Sequence, residues 1–476
     1  MMRSLFAGIS GLKNHQTRMD VIGNNIANVN TIGFKKSRVA FQDLLSETLV
    51  GAASPTATRA GTNPVQVGLG MSIASIDVVH SPGSSEATGK NTDLSIEGDG
   101  FFMLSDGLKT YYTRAGNFDF DFNMSFYNKS NGMRVLGIMA DANGVINPRD
   151  EIVSINLSSQ LSAPPKATSE IDFGKNLDAR ATADIQTDYT THTNGTATTF
   201  NLSKVCLPGT TITITNESTG DVLAAGQYTI DHNTGEVTIM AGAASGNYSL
   251  EYQTPNYTTS VSIFDSKGDV HTADIYYTKV ADNTWGIATM IDGVFNSGGT
   301  GTISFDPLTG RFSSSMLTMA VQPIPGAADL TLTLDFSNVT EYAGEFTIAY
   351  TNQDGYNAGD LEGITVDGSG VLTGTFTNGQ KRQLAQVCLA SFANPAGLTK
   401  VGNSLYDVSP NSGAPNIGIP GVGGRGDIKP ETLEMSNVDL SQEFVDMIIT
   451  QRGFQANSRI ITTSDQILEE LVNIRR

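Results

Sequence analysis

Positions at both ends of the chain, most of them apolar or small, recur at alternating spacings of four and three. At the N-terminus they are Leu5, Ile9, Leu12, Gln16, Met19, Gly23 and Ile26. At the C-terminus the run is longer: Leu440, Phe444, Met447, Gln451, Phe454, Ser458, Ile461, Asp465, Leu468 and Val472. So narrow a stripe fits a seam between two helices better than the broad face of a helix on a globular core. It predicts helices over residues 1–30 and 437–476 that pair as a coiled coil. Asp439 followed by Gln442 is compatible with a capping-box start, and Arg475 and Arg476 stand where the helix dipole favours cations. The C-terminal helix would be roughly 50 Å long at a rise of about 1.5 Å per residue. Short isolated helices are marginal in water, so both ends are expected to be disordered until a partner covers their seam.

Between the ends the period changes from helix to strand. "SIASIDVVHSPGS" and "NTDLSIEGDGFFMLSDG" read as strands with glycine turns. "QYTIDHNTGEVTIM" predicts a hairpin turning through His232–Gly235, and "SVSIFDSKGDVHTADIYYTK" another across Ser266–Gly268. No long helical pattern appears from Gly51 to Glu434. Stretches rich in Gly, Ser, Thr and Pro read as linkers at 51–70, 161–170 and 409–430. The organisation expected is multidomain and mainly β. An extended linker region (31–75 and 420–436) follows the terminal helices. An inner β domain (76–176 and 361–419) and an outer β domain (177–180 and 256–360) come next. A small β module, 181–255, interrupts the outer domain.

The stretch "GNNIANVNTIGFKK" carries Asn24, Asn25, Asn28 and Asn30 directly behind the apolar stripe. Asparagine is a poor helix former because its amide competes for backbone groups. Such a cluster can satisfy the backbone of a partner, and Asn28 and Asn30 can equally cap a helix ending near residue 30.

Composition narrows the function. A formal charge of −19 argues against nucleic acid and against an anionic membrane surface. Fifty glycines with 39% hydrophobic and 16% charged residues fit turn-rich β structure. No segment is long and apolar enough to span a membrane, and the N-terminus makes a poor secretory signal. Cys206 and Cys388 are too few for a disulfide framework and read as buried strand residues. "GVGGRG" at 421–426 has the spacing of a dinucleotide loop but lacks the strand before it and the helix after it. "DFDFNMSF" offers three calcium-loop positions, but Met124 stands where glycine is required. No histidine has a metal-ligating neighbour in sequence. No catalytic, cofactor or metal residues are therefore assigned.

"SGLKNHQTRMDVIGNNIANVNTIGFKKSRVAF" and "LEMSNVDLSQEFVDMIITQRGFQANSRIITTSDQILEELVNIRR" closely resemble the terminal signatures of bacterial flagellar rod and hook proteins. "NTDLSIEGDGFFML" is similar to that family's shared β domain, and "VSIFDSKGDVHTADIYYTKVADNTWGI" resembles the outer domain of its hook members. The resemblance implies a structural subunit of a curved tubular universal joint that carries torque from the motor and rod to the filament. It implies a homopolymer that meets the rod, the hook cap, the hook–filament junction and the export apparatus. The place would be an extracellular or periplasmic flagellum, reached by export without a cleaved signal. The terminal helices would line the inner tube. The contact residues would be Leu5, Ile9, Leu12, Met19, Gly23, Asn24, Asn25, Ile26 and Asn28, with Phe444, Met447, Gln451, Gly453, Phe454, Ile461, Leu468 and Val472. Gly23 and Gly453 would permit close helix approach. Some hook proteins carry an inter-subunit Cys–Lys link, for which Cys206, in the outer region, is the better placed cysteine. The rivals are a distal rod protein with an unusual insertion and an enzyme carried on a filament scaffold.

Overall fold

The computed structural model describes residues 2–56, 58–207, 212–313, 317–320, 328 and 330–474, with backbone alone at 2, 3, 297, 319, 320, 471, 472 and 474. Two helices, α1 (Met2–Ala27) and α2 (Leu440–Ile474), enclose a chain otherwise built of strands and two short 3-10 turns. Among the described residues no helix is long and apolar enough to cross a membrane. The chain forms two compact units. One comprises Met1–Leu161, Leu361–Phe376 and Gln380–Arg476, and the other Ser162–Asp360 with Thr377–Gly379.

In the first unit, α1 leads into a ribbon. Strand β1 (Ser37–Asp43) runs antiparallel to β4 (Met71–Val78), from Ser37 opposite Val78 to Asp43 opposite Met71. Beyond them β2 (Ser46–Val50) pairs with β3 (Val65–Gly68), and bridges at Ala53–Thr62 and Thr56–Arg59 continue the ladder. The stretch 51–70, expected as an extended linker, thus belongs to a long two-stranded ribbon. Its backbone groups pair with each other despite a loop-like composition. Residues 420–436 are not a free linker either. Asp427–Pro430 pairs with β6 (Leu94–Glu97), and Thr432–Glu434 with β5 (Ser85–Ala87).

The rest of this unit is an antiparallel sheet. In it β7 (Phe101–Ser105) pairs with β8 (Thr110–Thr113) and with Arg134–Met139, which in turn pairs with Lys381–Val387. Phe101, Met103, Tyr112 and Ile138 of these strands close a core with Cys388, Phe392 and Tyr406. Burial pushes the Cys388 thiol up to about 11, so it stays protonated at neutral pH. "GVGGRG" is a loop between strands Asn416–Gly418 and Asp427–Pro430, with no helix opening after it. "DFDFNMSF" is a hairpin in which the Asp119 carboxylate meets Lys90 and Lys129 at 2.8 and 3.0 Å.

The second unit contains a meander of four strands between Tyr257 and Ser304. It also contains a sheet in which Glu170–Asp178 runs parallel to Thr331–Tyr342 and antiparallel to Ala349–Gln353. Most of this strand, residues 170–176, was expected in the inner domain. Its ladder partners place it here instead. The two sheets share one core that includes Phe173, Tyr277, Trp285 and Phe336. Within it Lys279 pairs with Glu341, whose carboxylate also accepts from Trp285 Nε1 at 3.0 Å. Both expected hairpins form. Tyr228 lies opposite Ile239, with Gly235 at φ +68° in the turn, and Phe264 lies opposite Val270, with Gly268 at φ +88°. Only glycine adopts such angles without strain.

Residues 184–254 close a core of their own around Ile214, Val237, Ile239, Tyr248 and Leu250. The ends of this module meet: Asp184 pairs with Thr254, and Asn256 Nδ2 donates to the Thr182 carbonyl at 2.8 Å. A segment with its own core and adjacent ends can be removed without stretching its host. Replacing 183–255 with a short Gly-Ser linker is therefore expected to leave the remainder folded. Ala181 is kept because it packs on the larger core. Thermal melting should shift by no more than a few degrees, and a collapse of the transition would count against an independent module.

Candidate assembly surface

Helices α1 and α2 pack antiparallel, but mostly not through the apolar stripe, which contributes Ile461. The seam between them is built from Gly8, Gly11, His15, Arg18 and Asn25 on α1 and from Glu443, Asp446, Gly453, Asn457 and Ile461 on α2. Arg18 Nη2 meets Asp446 Oδ1 at 3.1 Å, and Asn25 Nδ2 donates to Glu443 Oε2 at 3.2 Å. A Cβ on Gly11 would lie 2.5 Å from the Asn457 amide, and one on Gly453 would lie 2.9 Å from the His15 ring. On Gly8 it would approach Ile461 at 3.3 Å. Glycine at these points lets the two backbones come close.

On α1 the observed seam is the predicted one moved back by a single residue, a rotation of roughly 100°. On α2 the same offset holds from Glu443 to Asn457. A three-and-four spacing fixes the period of a seam and not its phase. Of the predicted contact residues, Asn25, Gly453 and Ile461 fall in the seam, and the others lie beside it or away from it. Ile9 and Phe444 are 52% and 51% exposed, and Gln451 and Asn24 are also exposed. Leu5, Leu12, Met19, Ile26, Met447, Phe454 and Leu468 are half-buried. Nothing lies within 4 Å of a Cβ on Gly23, so that glycine permits no close approach within the chain. The Val472 side chain lies outside the described residues, as do Arg475 and Arg476. The ends expected to be unstructured before polymerisation are helical and paired in the single chain, through the polar links just given.

The amides divide between two roles. Asn25 is buried, accepts from the Ser37 N–H at 3.0 Å and donates to the Ser37 carbonyl at 2.9 Å, docking α1 on β1. Asn14, which lies off the predicted stripe, does the same for β4, donating to the Met71 carbonyl at 2.7 Å. Asn28 instead closes the helix end locally, donating to the Asn24 carbonyl at 2.9 Å and accepting from the Thr31 hydroxyl at 3.1 Å. Asp439 caps α2 through the Ser441 and Gln442 N–H groups at 2.9 and 3.3 Å. The Gln442 amide turns to Asp446 rather than back to the cap, so the box is not reciprocal.

Where the two ends join the β body lies a buried charge cluster. Lys35 Nζ donates to Glu434 Oε1 at 2.5 Å and to the Ser81 carbonyl at 2.8 Å. Arg114 meets Glu434 Oε2 at 3.4 Å, donates to the Gly98 carbonyl at 2.8 Å and stacks on Phe101. The Gly83 N–H donates to Glu434 Oε1 at 3.0 Å, and Gly33 N–H donates to the Glu434 backbone carbonyl at 2.8 Å. All three charged residues are buried. Burial lowers the Lys35 and Arg114 pKa values, and the Glu434 charge resists. Asn437 adds a further tie, donating to the Val79 carbonyl at 2.8 Å and accepting from the Lys36 N–H at 2.8 Å.

Cys206 is buried with Leu207, and His232 Nδ1 lies 3.0 Å from the Cys206 carbonyl. That position argues against the expected contact with a neighbouring subunit. A strand-like apolar run in the outer region signalled burial as much as location.

Removing one partner of a buried, hydrogen-bonded pair strands the other charge, which costs roughly 3–5 kcal/mol. Glu434→Gln should accordingly lower unfolding stability in urea by that order. Arg38→Ala, which breaks an exposed 4.0 Å pair with Asp77, should change it by less than about 0.5 kcal/mol. Equal small effects from both would show that the cluster holds nothing.

Comparison with known proteins agrees with this architecture. The family profile described as "Flagella basal body rod protein" matches residues 5–35, and "Flagellar basal body rod FlgEFG protein C-terminal" matches 429–474. "Flagellar hook protein FlgE/F/G D1 domain" matches 95–172, and "Flagellar basal body protein FlaE D2 domain" matches 229–356. The "Flagellar hook protein FlgE" of Borreliella burgdorferi is 38% identical over 507 aligned positions, covering all of both chains. That of Treponema pallidum is also 38% identical with full coverage of both. A Bacillus subtilis "Flagellar basal-body rod protein FlgG" is 30% identical over 477 positions, again covering all of both. With the paired ends, the shared β domain and full-length relatives in hand, the chain belongs to the flagellar hook protein family.

Proposed function

We infer that this chain is a structural subunit of the flagellar hook and polymerises through the apolar positions that its own helix seam leaves outward. The observation that carries this reading is the offset described above. Close packing within the chain uses glycine and polar residues, while Phe6, Ile9, Phe444, Val445, Ile448 and Ile449 stay exposed on the two helices. On the ribbon Leu45, Leu49, Val50 and Val65 are exposed as well. Apolar surface this extensive marks an interaction site, and a second copy of the chain supplies the matching surface in a polymer. In the assembled hook the helices would line the inner tube and the β units would lie outside it, beyond the cell membrane. The rod, the hook cap, the hook–filament junction and the export apparatus would be the further contacts. Export would need no cleaved signal.

A distal rod protein is the rival reading. Length does not separate the two, because the rod-named relative aligns over 477 positions. Two hook-named relatives at 38% identity, against 30% for the rod-named one, favour the hook. Concentrated protein viewed by electron microscopy is expected to form short curved tubes, whereas straight tubes would favour the rod and no polymer an enzyme.

Two substitutions test which surface assembles. Phe444→Asp adds a charge at an exposed site, so it should leave the melting temperature within about 2 °C while abolishing tubes. Gly23→Ala should raise helix stability by up to about 1 kcal/mol in the monomer, since nothing in the chain opposes a Cβ there. If copies approach closely at Gly23, the same change should weaken polymerisation. Normal tubes from Phe444→Asp would reject the outward stripe as the assembly face.

A further inference from the structure

His80 lies in the segment that receives both chain ends, yet it forms none of the bonds there. Its ring packs edge-on between Phe101 and Tyr406, at centroid distances of 5.4 and 5.3 Å. Both ring nitrogens are buried, and neither has a hydrogen-bond partner of good geometry among the described residues. Its backbone neighbours do the anchoring. The Val79 carbonyl receives Asn437, the Ser81 carbonyl receives Lys35, and the Gly83 N–H reaches Glu434. The charged groups facing the ring are Lys35 from the N-terminal segment, Arg114 from the chain after β8, and Lys400 from strand Thr399–Gly402. Glu434 is the carboxylate at hand, and it is already held by Lys35 and Arg114.

We propose that His80 is an acid-operated latch: protonation expels its ring, withdraws residues 79–83 and frees both helix-bearing ends before the β sheet unfolds. A proton on the ring would create a fourth cation beside Lys35, Arg114 and Lys400, with only the Pro395 carbonyl to receive it and the Glu434 carboxylate already engaged. Because the ring and the anchoring backbone share five consecutive residues, the ring cannot leave without disturbing the bonds to Lys35, Glu434 and Asn437.

The direction of the pH effect follows. Burial first, and then the charges of Lys35, Arg114 and Lys400, lower His80 to about 4, while the Pro395 carbonyl pulls weakly the other way. An unfolded histidine titrates near 6.5. The stability contributed by the neutral ring is therefore complete above about 6.5 and is lost as pH falls through that value toward about 4. No polymer is needed for this behaviour, so it stands or falls separately from the assembly reading.

The test is hydrogen exchange on the full-length monomer between pH 7 and pH 4, corrected for intrinsic rates and compared with His80→Phe. In the wild-type chain, residues 79–88 and 427–437 should lose protection as pH falls, while β7 and β8 keep theirs. At pH 4.5 the anchor segments should exchange at least tenfold faster than in His80→Phe. Loss of protection at the same pH in both proteins would overturn the proposal, as would simultaneous loss in the anchors and in β7 and β8. Should His80→Phe fail to fold, the wild-type imidazole titration followed by NMR decides. A titration near 6.5 with the anchors still protected overturns the latch, and one displaced toward 4 that coincides with their release supports it.

Discussion

The carboxylate of Glu434 is the constraint on which the first unit depends. It takes Lys35 from one end of the chain and Arg114 from the β body, and it lies just ahead of α2. A buried ion pair is a poor source of net stability, because desolvation offsets much of the attraction. What it does supply is selectivity. Two cations in a dry site tolerate one carboxylate position, so the N-terminal segment, the sheet and the entry to α2 have a single way of meeting. The Gly33 N–H on the Glu434 carbonyl fixes the backbone in the same place. An apolar plug of equal size would permit sliding by a fraction of a residue, and the helix register would follow it.

That register decides which faces the helices use on each other. Gly8 and Gly11 on α1 and Gly453 on α2 bring the backbones together, and Arg18–Asp446 and Asn25–Glu443 fix the alignment along the axis. A subunit that spent its best apolar stripe on itself would have little left for its neighbours. Here the seam is held by polar links and close backbone contact, and residues such as Phe444 and Ile448 remain available. Both sets of positions follow the same heptad spacing, so one pair of helices would carry two interfaces about 100° apart under the proposed assembly.

Much of this architecture was legible in the sequence where local chemistry sets it. The hairpins at His232–Gly235 and Ser266–Gly268 were readable because a turn glycine between alternating strands allows few other outcomes. The terminal helices were readable from their period. Their facing surfaces were readable only in part: Gly453 was singled out for close approach, but a search for apolar residues passes over Gly8 and Gly11. The charge cluster was hidden for a different reason: Lys35 and Glu434 are 399 residues apart, and Arg114 and Glu434 are 320 apart. Nothing local marks such residues as partners. The ribbon through 51–70 was misread because Gly, Thr and Pro signal turns, while the ladder that pairs them depends on β1 and β4 being in register.

The second unit repeats the device in different chemistry. Glu341 is buried against Lys279 and the Trp285 indole N–H, and Lys279 lies 4.8 Å over the Trp285 ring. One carboxylate is again held by two side-chain donors inside an apolar core, and again both lie far from it in sequence, here 62 and 56 residues away. Packed cores of this kind do not deform continuously, and charges within them penalise partial displacement more steeply than apolar contacts do. Each unit is therefore expected to move as a rigid piece. A hook that bends as it turns must then take up the change of shape outside these cores, where contacts are apolar, exposed and individually weak. The same partition would account for the chemistry of the chain: charge is buried where geometry must not vary, and apolar surface is left out where, under the proposed assembly, one copy would slide against the next.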